Sequence, residues 1–266
     1  MRRIVFILPL LLACTQMRES VPVEFIAEGT KAFTETTISN LDGFYVTAKN
    51  SSGRVLWENI HFVKDEGGSR FTGGMYWPQS GELSFYAISH SYPLTVDGIA
   101  VKVQPSPADG DVVSAVKLNA YKGSSTYLSF GHIFASLEGI VFTPEEGCSV
   151  DVRALSCQFL MDGTYDIASS SWVDTGTPGA AVSIASPSLE NRNLGLLCVP
   201  GECTISVSYD CSFGGHTESC TTSATVTLPM GKKSTVSGTL CAASGIVSMT
   251  VTVAPWDEEV IYNNKL

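Results

Sequence analysis

Positive charge is scarce in this chain. Sixteen Lys and Arg stand against 26 Asp and Glu, a formal net charge of −10. Such a surface repels phosphates and anionic headgroups, which argues against nucleic acid as a partner and against membrane attachment through a basic patch. Charged residues of either sign make up only 16% of the chain, while Gly, Ser and Thr are plentiful, which fits neither a disordered nor a helix-rich protein. After the first residues no apolar run approaches the ~20 needed for a membrane-spanning helix. Catalytic signatures are missing too: there is no G-x-S-x-G elbow, no H-E-x-x-H and no phosphate-binding glycine loop. The His residues are scattered at His61, His90, His132 and His216, and two of them, His61 and His132, sit in apolar strand-like segments, where a structural role is expected. Glu145-Glu146 and Asp257-Glu258-Glu259 are neighbours in extended segments and point to opposite faces, so they make poor acid–base pairs. These absences point toward a binding or structural role rather than catalysis, and no cofactor or metal is expected.

The amino terminus is informative. Arg2 and Arg3 precede the short apolar run Ile4–Leu12, and Leu11-Leu12-Ala13-Cys14 follows the lipobox pattern. A basic start, a run too short to span a bilayer and a small residue before the cut describe an export signal over residues 1–13. Cys14 is then the lipidation site, and the mature chain is exported and tethered by lipid. An ordinary signal peptide with an incidental Cys is the alternative. Loss of Arg2 and Arg3 with the signal makes the mature chain more acidic still.

Period-two alternation recurs through the rest, and no window carries a sustained helical stripe. Phe44–Lys49, Leu83–Ile88, Ile133–Phe142, Thr204–Tyr209, Ser223–Leu228, Ser234–Leu240 and Val247–Val253 read as strands, with turn signals such as Asn50-Ser51-Ser52-Gly53 and Met230-Gly231-Lys232-Lys233 between. Residues 169–188, rich in Ser, Gly and Pro, read as a long loop. The expected fold is all-β. Two antiparallel sandwiches in series suit the length, at the usual ~100–200 residues per domain. Lys122-Gly123-Ser124-Ser125 is the expected hinge, giving domains 14–125 and 126–266. Trp57, Tyr76, Trp77 and Tyr86 are read either as a sugar-binding face or as sandwich core.

Apart from Cys14, every cysteine lies in the second half: Cys148, Cys157, Cys198, Cys203, Cys211, Cys220 and Cys241. Export permits disulfides, but spacing does not give their pairing, and an odd number leaves one over. The spacing of Cys198, Cys203, Cys211, Cys220 and His216 lacks the tight C-x-x-C knuckle of a zinc site, so local disulfides or buried strand residues are expected.

An ordered series of segments follows the lipobox: Lys31-Ala32-Phe33-Thr34-Glu35-Thr36-Thr37, Leu41-Asp42-Gly43-Phe44-Tyr45-Val46-Thr47-Ala48, Tyr76-Trp77-Pro78, Leu83-Ser84-Phe85-Tyr86-Ala87, Leu128-Ser129-Phe130-Gly131-His132 and Val251-Thr252-Val253-Ala254-Pro255-Trp256. In this order they resemble the fimbrillin-like (Mfa-like) family of type V pilus lipoproteins. That resemblance implies two tandem transthyretin-like antiparallel β-sandwich domains and no enzymatic activity. It implies a fimbrium subunit or accessory tip component, contributing to cell adhesion and anchored by lipid to the outer membrane before processing. Its partners would be other pilus subunits. In stalk subunits an outer protease cuts after a basic residue, the first strand leaves, and a carboxy-terminal strand of the next subunit fills the groove. Here the strand to be displaced would present Val21, Val23 and Phe25 on one face, and Pro22 suits an edge position. Lys31, where the family usually has Arg, would be the processing site, with Arg18 as an upstream basic alternative that would leave the strand in place. Val260, Tyr262 and Leu266 would be the donor strand, against the alternative of a frayed tail. A competing reading is a non-polymerising surface lipoprotein that binds a glycan or host ligand.

Overall fold

The structure, a computed structural model, describes residues 20–28, 41–66, 68, 70–95, 99–105, 110–240 and 248–256. Among these there is no helix. In chain order the strands of the first half are β1 (Pro22–Glu28), β2 (Gly43–Asn50), β3 (Val55–Lys64), β4 (Arg70–Tyr76), β5 (Glu82–Ile88), β6 (Ala100–Val103), β7 (Val113–Tyr121), β8 (Thr126–Ser129) and β9 (Gly131–His132). Those of the second half are β10 (Ala135–Pro144), β11 (Ser149–Phe159), β12 (Gly163–Asp166), β13 (Ser171–Asp174), β14 (Val182–Ser183), β15 (Glu190–Cys198), β16 (Gly201–Phe213), β17 (His216–Leu228), β18 (Lys232–Leu240) and β19 (Ser248–Pro255). The protein is all-β and mainly antiparallel, as its alternating sequence requires.

The first half forms one eight-stranded sheet in the order β8-β1-β4-β3-β2-β5-β7-β9. Its weak joint is between β3 and β4, which share only the pairs Val63↔Thr72 and Lys64↔Phe71. At this joint the sheet turns back over itself. The rings show it: Phe25 on β1 lies 4.8 Å from Phe62 on β3 and 4.9 Å from Phe85 on β5, though neither strand is its hydrogen-bonded neighbour. Gly73 in β4 makes the approach feasible, since a Cβ there would stand 2.8 Å from the Phe62 ring.

In the second half the sheets β15-β10-β18-β19 and β14-β11-β16-β17 enclose a separate core containing Leu137, Ile140, Leu155, Ile205, Val207 and Val236. β16 and β17 form a long hairpin whose register runs without a bulge from Gly201↔Leu228 to Phe213↔His216. Its outer face is a ladder of hydroxyl pairs: Thr204–Thr225 at 3.1 Å, Ser206–Ser223 at 2.8 Å, Ser208–Thr221 at 2.9 Å and Ser212–Thr217 at 2.8 Å. Such cross-strand pairs fix register while keeping the surface polar.

A three-stranded sheet, β13-β12-β6, joins the halves, because β6 comes from the first and β12 from the second. A third apolar cluster beneath it draws on Tyr86, Ile88, Val101, Ile133, Phe134, Tyr165 and Trp256.

Two sequence-based expectations change here. The Lys122–Ser125 segment is a tight turn, closed by Ser124 N–H donating to the Tyr121 carbonyl at 3.2 Å, and it leads β7 into β8. Both β8 and β9 pair within the eight-stranded sheet, so the chain passes to the second half after His132. The stretch 169–188 is not loop throughout. It carries β13 and β14, and Trp172 Nε1 donates to the Ile133 carbonyl at 2.9 Å, tying the segment down.

Gly73→Ala is expected to lower the unfolding free energy by about 1–3 kcal/mol, the usual cost of forcing an extra carbon into a packed core. Urea denaturation of variant and parent checks this.

Candidate functional site

β1 is the strand around which the first half closes. Alternation places Val23, Phe25 and Ala27 inward, all buried, with Val21 packed half-buried against the same cluster. Pro22, Glu24 and Ile26 face outward. The strand is hydrogen-bonded on both sides: antiparallel to β4 through Glu24↔Thr72, Phe25↔Phe71 and Ile26↔Arg70, and parallel to β8 through Phe25↔Thr126, Ile26↔Tyr127 and Ala27↔Leu128. It is therefore an interior strand, not an edge. Pro22 is tolerated for a different reason than an edge position. It is the first residue of the strand, beside a register shift, and the β8 partnership begins only at Phe25. The entry to the strand is tied by Trp77 N–H, which donates to the Val21 carbonyl at 2.9 Å.

The largest energetic stake is Phe25. Its ring is fully buried and meets Phe44, Phe62 and Phe85 edge-on at 5.9, 4.8 and 4.9 Å. Burying such a side chain stabilises by about 1.5–3 kcal/mol, and ring pairs add ~0.5–1.5 kcal/mol each. On the outer face Arg70 and Glu24 form an ion pair at 2.9 Å, but both are well exposed and water screens it, so it adds little. Removal of β1 would leave β4 and β8 with unsatisfied backbone groups on facing edges, about two strand spacings or ~9.5 Å apart, above an apolar trough.

A second arrangement lies where the described chain ends. His132 on β9 and Asp111 are joined through Nδ1 and Oδ2, both side chains almost fully buried. Trp256, the last described residue, stacks on the His132 ring at 4.5 Å and an interplanar angle of 17°. Burial pushes the Asp111 carboxyl above its usual range, against the opposing pull of the His132 hydrogen bond and the Val112 backbone N–H. The closing residues of the β-series are thus fastened onto the first half. Cys14, Arg18, Lys31, Val260, Tyr262 and Leu266 all lie outside the described residues.

Of the aromatics considered for a sugar face, Trp77 and Tyr86 are buried and Trp57 packs against the core, while Tyr76 is 55% exposed. They do not form one face. The cysteine-rich segment does not converge on a metal either: His216 is exposed at the far end of the β16–β17 hairpin from Cys203, and among the described residues no group of His, Cys, Asp and Glu could hold an ion. The six described cysteines form no disulfide and lie mostly buried on strands. Alternation in the sequence put Val21, Val23 and Phe25 on one face, and that face is the inward one. It did not find the pairing of Asp111 with His132 and Trp256, since 21 and 124 residues of separation leave no local signal.

What the geometry defines is an all-β protein whose special features are strand registers and backbone pairing rather than reactive side chains. The chain matches the fimbrillin-like family over residues 30–256 and belongs to it. No curated protein matches it. Among solved structures it is similar to a fimbrial protein from Bacteroides vulgatus, at 13% identity and a TM-score of 0.58, covering 88% of this chain and 99% of that one. A proposed cell adhesion protein from Parabacteroides distasonis superposes with a TM-score of 0.59 at 11% identity, covering 89% and 97%. Another from Bacteroides uniformis gives 0.55 at 14% identity, covering 89% and 99%. At such identities the likeness is one of fold.

Phe25→Ala is expected to cost about 3–5 kcal/mol in urea denaturation, the range for deleting a buried aromatic. For Asp111 the direction follows from linkage. Its folded carboxyl holds a proton to higher pH than in the unfolded chain, so the folded state binds more protons above pH 3.8. The stability of the parent relative to Asp111→Asn should therefore fall as pH rises through that window, as measured by denaturation of both proteins from pH 3 upward.

Proposed function

We propose that this protein is a pilus subunit or accessory tip component that is exported as a lipoprotein on Cys14 and assembles by β-strand donation, contributing to cell adhesion. The observation that carries the reading is the setting of β1. The first strand among the described residues is an interior strand, held by backbone pairs on both sides, with its inward residues Val23, Phe25 and Ala27 in the core. Family membership and fimbrial and adhesion neighbours support the same reading. A cut at Lys31 would release β1 together with the lipid. The vacated trough between β4 and β8 would then accept a strand from a second subunit, which restores the hydrogen bonds and fills the inner positions. Val260, Tyr262 and Leu266 supply apolar side chains for such a strand. A cut at Arg18 would free the chain from its lipid and leave the trough filled. We propose further that the two halves are separate sandwich units, meeting after His132 and stitched by the β6–β12 pair.

Intact-mass analysis of the protein released from its native cells tests the proposal. The expected species is a chain beginning at Ala32, free of lipid, within multimers that resist detergent, and absent from cells carrying Lys31→Ala. An acylated chain beginning at Cys14, recovered only as monomer, overturns strand donation and favours the anchored ligand-binding reading.

A further inference from the structure

Three sulfurs meet inside the second half. In the β11–β16 register Cys157 stands opposite Ile205 and Cys203 opposite Phe159, so the two cysteines are diagonal neighbours on the core-facing side. Both are fully buried, and the Cys203 thiol lies within hydrogen-bonding reach of Cys157. Cys198, at the end of β15 in the opposing sheet, is the third sulfur, and its thiol is directed at the Ala135 carbonyl at 3.8 Å. Burial raises the Cys198 thiol to about 12, and the neighbouring thiol together with burial raises Cys203. Thiols so disposed are inert once the sandwich has closed, so any bond between them has to form before that.

We propose that Cys157 and Cys203 are a disulfide site, oxidised as the second half folds outside the cytoplasm, with Cys198 kept as a thiol on the Ala135 carbonyl. The oxidant is a disulfide, either a small molecule or a disulfide-carrying oxidase. The Cys157 thiolate attacks one oxidant sulfur and expels the other as thiolate, leaving a mixed disulfide. The Cys203 thiolate then attacks the Cys157 sulfur and expels the second oxidant thiolate. The protein loses two protons and two electrons, and the oxidant becomes two thiols. The bond closes a loop that contains β12 to β15, the least regular excursion of the second half, and so restricts the unfolded chain where it has most freedom.

The site of oxidation rests on the exported reading above, so the test is made on the isolated chain. The mature chain, reduced and denatured, is refolded in mixed oxidised and reduced glutathione, then alkylated and digested. The expected result is one linked peptide pair carrying Cys157 and Cys203, lighter by about 2 Da than the two reduced peptides. Oxidation should also move the urea midpoint upward, and that shift should vanish in Cys157→Ser and in Cys203→Ser. Full alkylation of both residues in a chain that has regained its strand-rich circular dichroism overturns the proposal, as does a bond to Cys198 in their place. Should refolding give only precipitate, the same peptide map of chain secreted into an oxidising bacterial compartment decides between the same outcomes. Neither readout depends on pilus assembly.

Discussion

Everything in the first half depends on the pairing of β1 with two neighbours at once. A backbone N–H or C=O buried without a partner is costly, so β4 and β8 cannot both lie in this sheet unless something lies between them. The same strand supplies Phe25, whose ring touches three others from β2, β3 and β5. One seven-residue segment thus closes the sheet in the hydrogen-bonding direction and fills the core in the perpendicular one. A segment with that double duty is hard to lose and, if it were lost, would for the same reason leave a well-defined receptor behind.

The second half is built on a different balance. Its order comes from the continuous β16–β17 register and its hydroxyl ladder, together with sulfur and aliphatic side chains packed between two sheets. The two cores do not share their aromatic content: the first is dominated by phenylalanine rings, the second by Cys, Val, Ile and Leu. What couples them is the small β13-β12-β6 sheet and the cluster around Tyr165 and Trp172, whose ring centroids are 5.5 Å apart.

Much of the fold was legible from local pattern. Alternation in Phe44–Lys49 and Leu83–Ile88 gave strands at β2 and β5, and Val21, Val23 and Phe25 do share an inward face. What escaped is non-local. Lys122–Ser125 has the composition of a hinge, yet whether a Gly-Ser turn separates domains or strands is decided by where the following strand pairs. Thr126–Ser129 pairs with β1, some hundred residues earlier. The Ser-rich segment 169–188 hid β13 because a four-residue strand is too short for alternation to show, and its order depends on Trp172 reaching Ile133. Pro22 suggested an edge strand; a strand that is an edge only over its first residues looks the same in sequence.

The mixed pairing of β1, antiparallel to β4 but parallel to β8, carries an implication of its own. The trough it occupies is not symmetric with respect to chain direction. Its two walls present their donors and acceptors at different spacings, evenly slanted on the β8 side and in alternating close and wide pairs on the β4 side. An incoming strand that reproduces β1's bonds must run the way β1 runs; reversed, it would turn both walls into the other kind. The trough is thus a vector rather than a slot. Any chain of subunits joined through it would inherit that sense of direction, with one end that can only receive and one that can only give.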